Sequence, residues 1–143
     1  PPTEAVIFHL QRAGYTILLA HPERYRAVAN SPNLIFALVE KGVYMQVTSA
    51  SILGRFGAKP RETARLLLEH NLAHVLASDA HDARGRHPRL LEAYGQVSAW
   101  IGERAARRLV VDIPRSLLHD EAPEVADPCW IESAHKRKRF VWL

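Results

Sequence analysis

A chain of 143 residues has room for one ordinary domain and not for two. Its 48% hydrophobic and 24% charged residues are the balance of a soluble globular protein, which excludes a long disordered tract. The net charge of +4, carried mostly by scattered arginines, is too mild and too scattered to imply nucleic acid, so none is expected, and it suits an acidic or phosphorylated partner.

Val6, Ile7, Leu10 and Ala13 have helical spacing, so a helix is expected over residues 5–13, stopped by Gly14. Residues 15–20 read as a buried strand. Ser31 can cap a helix with Pro32 at its first position and Leu34, Ile35, Leu38 and Val39 as its apolar face; Gly42 ends it. The next strand is expected over 43–48, where Val43, Met45 and Val47 alternate with Tyr44 and Gln46. A loop holding Gly54 and Gly57 leads to a helix from Pro60 to about Asn71, with Ala64, Leu67 and Leu68 inward. Residues 75–78 form a third short strand. One helix is expected from Pro88 to about Gln96, and another segment over 99–109. The regular strand–helix alternation predicts an α/β fold with parallel strands. From Glu121 the pattern dissolves, giving a division into a domain over 1–120 and a tail over 121–143 that carries the basic run 136–139.

Cys129 is the only cysteine, so no disulfide forms within the chain, and a reducing, cytoplasmic setting is expected. Cys129 itself reads as a buried or incidental thiol. No apolar run is long enough to span a bilayer.

The chemistry gathers where strands end. Ala20-His21-Pro22-Glu23-Arg24-Tyr25 follows the first strand and Ser78-Asp79-Ala80-His81-Asp82 the third. Ligands of α/β sheets and barrels bind at the carboxyl ends of strands, so His21, Asp79 and His81 are expected on one face, with Gln46, Ser49 and Ser51 between them. In Asp79-Ala80-His81 the carboxylate and the imidazole are two residues apart and point the same way in extended backbone. A set of oxygen and nitrogen donors suits Mn, Zn or Fe. The competing reading makes Asp79 a cap and His81 its hydrogen-bond partner. Arg24, and Arg84 or Arg86, can each offer a guanidinium fork to a phosphate, although a lone arginine is more often an ordinary surface charge. Glu23 either accepts from a ligating histidine or stays a solvated charge. His9, His70, His74 and His119 lack ligand-like neighbours.

Three ordered stretches, Leu19 to Tyr25, Gln46 to Gly57 and Ala77 to His81, resemble the metal-dependent protein-tyrosine phosphatases of bacterial capsule and exopolysaccharide operons, within the PHP (polymerase and histidinol phosphatase) superfamily. The resemblance covers about residues 4–118. It implies that the chain is the C-terminal part of a (β/α)7 distorted TIM barrel holding a metal cluster, usually Mn2+ (Zn2+ and Fe2+ being alternatives), which hydrolyses phosphotyrosine on a cognate tyrosine kinase. His21, Asp79 and His81 match metal ligands; Arg24 and Arg86 match substrate-binding arginines, with Arg84 a local competitor. Two departures stand out: Thr48-Ser49-Ala50-Ser51 replaces the usual Asn-Ala-Gly-Ser, and Asp82 replaces an asparagine. The family's first strands, with their His-x-His pair, have no counterpart here, so the missing N-terminal half is itself an expected partner. A small-molecule phosphatase of the histidinol-phosphate kind and a non-catalytic binding module remain alternatives, and the oligomeric state is left open.

Overall fold

A computed structural model describes residues 3–81 and 90–132. Three parallel strands form the sheet: β1 (Leu18–Ala20), β2 (Tyr44–Thr48) and β3 (Val75–Ala77), in spatial order β1-β2-β3. Leu18 pairs with Tyr44 and Ala20 with Gln46; Gln46 in turn pairs with Val75 and Thr48 with Ala77. Sequential parallel strands require helical crossovers, and the chain supplies them. Helices α2 (Arg26–Asn30) and α3 (Asn33–Val39) join β1 to β2, while α4 (Ser49–Ile52) and α5 (Ala58–Glu69) join β2 to β3. Helix α1 (Thr3–Arg12) precedes the sheet, and α6 (Leu91–Ile101), α7 (Glu103–Arg107) and α8 (Ile113–Leu118) follow it.

The core lies around β2, the central strand. Val43, Met45 and Val47 are buried there against Ile35 and Leu38 of α3, Leu67 and Leu68 of α5, and Leu76 of β3. A strand with neighbours on both sides and helices across it loses its apolar side chains from water almost completely, at roughly 1.5–3 kcal/mol for each large one. Strand β1 is shorter than its apolar run suggests. Only Leu18 to Ala20 pairs, and Leu18 remains exposed, because β1 lies at an edge of the described sheet.

The segment expected over 99–109 is not one helix. Gly102, at φ +86, leaves the right-handed region and separates α6 from α7, a conformation that costs glycine least. From Arg108 to Asp112 the helix then widens into a π turn before α8 begins. The expected helix start at Pro88 lies outside the described residues.

Residues 121–132 contain no helix or strand but are fastened to the fold. The Asn33 side chain donates to the Ile131 carbonyl (2.8 Å) and accepts from its amide (2.9 Å). The Cys129 amide donates to the His70 carbonyl, the Asn71 side chain donates to the Asp127 carbonyl, and Ile131 is buried. Cys129 itself is exposed rather than buried.

His74 shows what burial does to a titratable group. It is 3% exposed, and its Nδ1 accepts the Met45 amide at 3.0 Å, so a neutral ring must carry its proton on Nε2. Burial lowers its pKa from 6.5 to about 4. Between these values the unfolded chain binds a proton that the folded chain does not. The stabilisation is therefore complete above pH 6.5 and is lost as pH falls toward 4, by about 3 kcal/mol in all. Urea unfolding between pH 7 and 4 is expected to show this loss. It should be much reduced in His74→Asn, whose Oδ1 can take the place of Nδ1; equal pH slopes in the two proteins would acquit His74 of acid sensitivity.

Candidate functional site

The backbone itself marks the carboxyl ends of β1 and β3. His21 follows β1 directly, and its amide extends the ladder by donating to the Gln46 carbonyl at 2.8 Å. It then turns into the left-handed region at φ 42, and Pro22 opens a 3-10 turn over Pro22–Arg24. Proline suits that place, since its fixed φ starts a turn and its missing N–H leaves no donor unmet. Asp79, two residues beyond β3, is also left-handed at φ 51. Such backbone is uncommon outside glycine and concentrates at functional sites.

Glu23 lies on the turn between them and is wholly buried. The solvated alternative for this carboxylate therefore fails. Its Oε1 accepts from the Thr48 amide (3.1 Å), the Thr48 hydroxyl (2.9 Å) and the Ser51 hydroxyl (2.6 Å). The two hydroxyls also lie 2.9 Å apart, but they have two protons for three contacts, so one of these contacts goes without a proton at any instant. Glu23 thus ties the turn after β1 to the end of β2 and the first turn of α4. Its Oε2 and the His21 Nδ1 are both buried with no hydrogen-bond partner among the described residues. Buried polar atoms are ordinarily satisfied, and two orphans within three residues suit a site that takes a cation or polar ligand.

Arg24 ends the same turn. Its guanidinium lies over the Phe56 ring, 4.5 Å from the centroid, and its Nη1 is 3.7 Å from Asp79 Oδ2. Phe56 comes from the loop between Gly54 and Gly57, so all three strand-end loops meet at Arg24. His81 Nδ1 is 2.8 Å from the Asp79 carbonyl oxygen and 3.8 Å from its Oδ1. Because a carbonyl can only accept, Nδ1 carries the proton and the Nε2 lone pair of a neutral ring is left for a cation. Ser49 is buried, its hydroxyl 3.5 Å from the Ser78 carbonyl, and Gln46 contributes its main-chain carbonyl to His21.

Asp79 therefore meets both His81 and Arg24, and His21 stands at the end of the neighbouring β1–β2 pair. Among the described residues no three His, Cys, Asp or Glu side chains gather closely enough to hold a metal ion. The imidazole and carboxylate donors fit a divalent cation in kind but not in number. Arg84 and Arg86 lie outside the described residues, as does Asp82. Phe56 has no ligand chemistry of its own, and its one mark in the sequence is an aromatic residue between two glycines in a strand-end loop.

Comparison with known proteins gives a consistent result. A family profile described as "Capsular polysaccharide synthesis, CpsB/CapC" matches residues 3–119. Tyrosine-protein phosphatase YwqE of Bacillus subtilis is 42% identical over 90 residues, which is 63% of this chain and 35% of YwqE. Tyrosine-protein phosphatase CpsB of Streptococcus pneumoniae is 35% identical over 113 residues, 76% of this chain and 46% of CpsB. Among solved structures, one from the work on YwqE and CpsB, described as unique metal-dependent tyrosine phosphatases, superposes with a TM-score of 0.84 at 33% identity. The match covers 93% of this chain and 54% of that one. The chain thus spans between a third and about half of the length of these relatives.

Proposed function

Because the chain belongs to the CpsB/CapC family of capsular polysaccharide synthesis, we propose that the protein carrying it is a metal-dependent protein-tyrosine phosphatase. Its substrate is a phosphotyrosine protein, a cognate tyrosine kinase, in capsule or exopolysaccharide biosynthesis in the cytoplasm. One observation carries this reading. Two candidate ligands, His21 and Asp79, are held in left-handed backbone at the carboxyl ends of parallel strands, with Arg24 tied to Asp79 beside them. No described helix is long and apolar enough to cross a membrane.

In this reading the three strands are part of a (β/α)7 barrel. Their order agrees with it: each strand is laid beside the last in one direction, as in a barrel wall, without the reversal of a doubly wound sheet. His21, Asp79 and His81 contribute to holding a divalent cation, Mn2+ in our reading, and residues from the rest of the protein complete its coordination. The chemistry such a cation supplies when bound is polarisation of the phosphoryl oxygens and a lowered pKa for attacking water.

This chain's own residues position the substrate and set the electrostatics. Arg24, steadied by Phe56, offers its fork to the equatorial phosphoryl oxygens, and Arg86 supplies a second guanidinium. The proton on His81 Nδ1 stays committed to the Asp79 carbonyl, so the ring keeps one orientation. Glu23 holds the β1 and β2 loops together. Cys129, exposed on the 121–132 segment, takes no part, and no covalent enzyme intermediate is required.

The test is turnover of a phosphotyrosine peptide by the whole protein with Mn2+. Activity is expected to vanish on chelation and return on adding the metal, and to fall at least 10²-fold in Asp79→Asn. Residues 1–143 alone are expected to show little or no turnover and less than stoichiometric metal by elemental analysis, since three protein donors cannot satisfy a cluster. Robust, metal-independent turnover would overturn the assignment; a fully loaded, active fragment would overturn only the reading of residues 1–143 as part of a site.

A further inference from the structure

Apart from the strand-end loops, a second group of arginines gathers on the helices that follow the sheet. Arg104, Arg107 and Arg108 are spaced i, i+3, i+4, which places them on one helical face. They line a cleft of about 460 Å³ together with Asp112, Ser116 and Glu124, a size ordinary for a small-molecule site. The cleft shares Arg108 and Ile113 with a small cavity reached by His74, the residue just before β3. It therefore lies toward the amino-terminal end of the strands, away from His21 and Asp79.

The guanidinium groups are only partly committed. Arg107 uses a single nitrogen, Nη1, for both oxygens of Asp112 (2.9 and 2.8 Å), a contact five residues along that the π turn over Arg108–Asp112 makes possible. Arg108 donates through Nη2 to the Glu124 carbonyl. Arg104 is exposed and has no hydrogen bond or ion pair among the described residues. Three cations face two carboxylates, so the cleft has a positive balance with most guanidinium N–H groups unspent. π turns inside helices are themselves frequent at functional sites.

We propose that this cleft binds a phosphate dianion, free or as a phosphate monoester. A tetrahedral dianion can use donors from several guanidinium forks and a hydroxyl at once, whereas a single carboxylate is satisfied by one fork. Arg104 is the principal contact, Arg108 and Ser116 flank it, and Asp112 keeps Arg107 in place.

The experiment uses the whole protein freed of metal by chelation, with binding of inorganic phosphate and of glycerol 3-phosphate followed by calorimetry at constant ionic strength. Arg24→Ala weakens the metal-free site at the strand ends, and any binding left there is recognised by its indifference to Arg104→Glu. In that background, saturable binding is expected, weakened at least 10-fold by Arg104→Glu and by the double change Arg104→Gln with Arg108→Gln. Circular dichroism checks that the variants are folded, and Arg104, being exposed, is the safer of the two to change. Equal affinity for the two ligands assigns the site to free phosphate; tighter binding of the ester assigns it to a phosphorylated metabolite. Absence of saturable binding in the Arg24→Ala protein, or binding indifferent to Arg104→Glu, overturns the proposal. Neither result bears on the phosphatase reading, which is scored on metal-loaded turnover.

Discussion

Replacing Glu23 by alanine is expected to lower the unfolding free energy of the protein by about 3 kcal/mol, among the larger losses a single substitution gives. The change strands the Thr48 amide and the proton of one of the two hydroxyls, Thr48 or Ser51, which otherwise keep only each other; all are buried, and an unmet buried donor costs roughly 1–3 kcal/mol. Relief of the unpartnered Oε2 offsets part of this sum, which sets the expected value nearer to 3 than to 6. Glu23→Gln keeps an acceptor toward Thr48 and Ser51 and should retain most of the stability. Denaturant titration of the three proteins decides the matter. A loss under about 0.5 kcal/mol in Glu23→Ala, the range of an ordinary surface position, would show that this carboxylate does not join the two loops.

Arg24→Ala is expected to do the opposite: activity falls steeply and stability hardly moves. The contact with Asp79 is long at 3.7 Å and the guanidinium is about a third exposed, so solvent screens it and it contributes under about 1 kcal/mol to folding. Stacking on Phe56 adds a similarly small amount. A donor aimed at a phosphoryl group in a catalytic site, however, is typically worth 10²–10³ in turnover. Arg24→Lys should recover little, because an ammonium cannot present the planar fork. Steady-state kinetics and thermal melts of the whole protein separate the two effects; preserved turnover with a collapsed melting temperature would make Arg24 a structural residue.

Much of this arrangement was legible from residue order alone. Short apolar runs ending in Ala20-His21, Thr48-Ser49 and Ser78-Asp79 fix where strands stop, and parallel pairing then brings those ends to one side. The burial of Glu23 was not legible, since charged residues in loops are usually solvated and only the tertiary pairing with Thr48 and Ser51 reverses that expectation. Phe56 under Arg24 escaped for the same reason: the contact joins two loops that the sequence does not relate. Short helices α2 and α4 leave no mark in the sequence pattern, being too brief to show a period. Residues 127–131 meet α3 and the end of α5 through the Asn33 and Asn71 side chains and the Cys129 amide, hydrogen bonds that leave no hydrophobic period in the sequence. Closure into a barrel is a property of the full ring of strands, which three parallel strands allow without dictating.

The clasp between Asn33 and Ile131 joins positions 98 residues apart. During synthesis, Asn33 leaves the ribosome long before Ile131 exists, so any sheet that forms in that interval forms with the Asn33 amide still facing water. Local pairings of low loop-closure cost form early, and this long loop is sealed last. A chain ending near residue 120 would lack this latch and leave the Asn33 side chain without its two partners on Ile131.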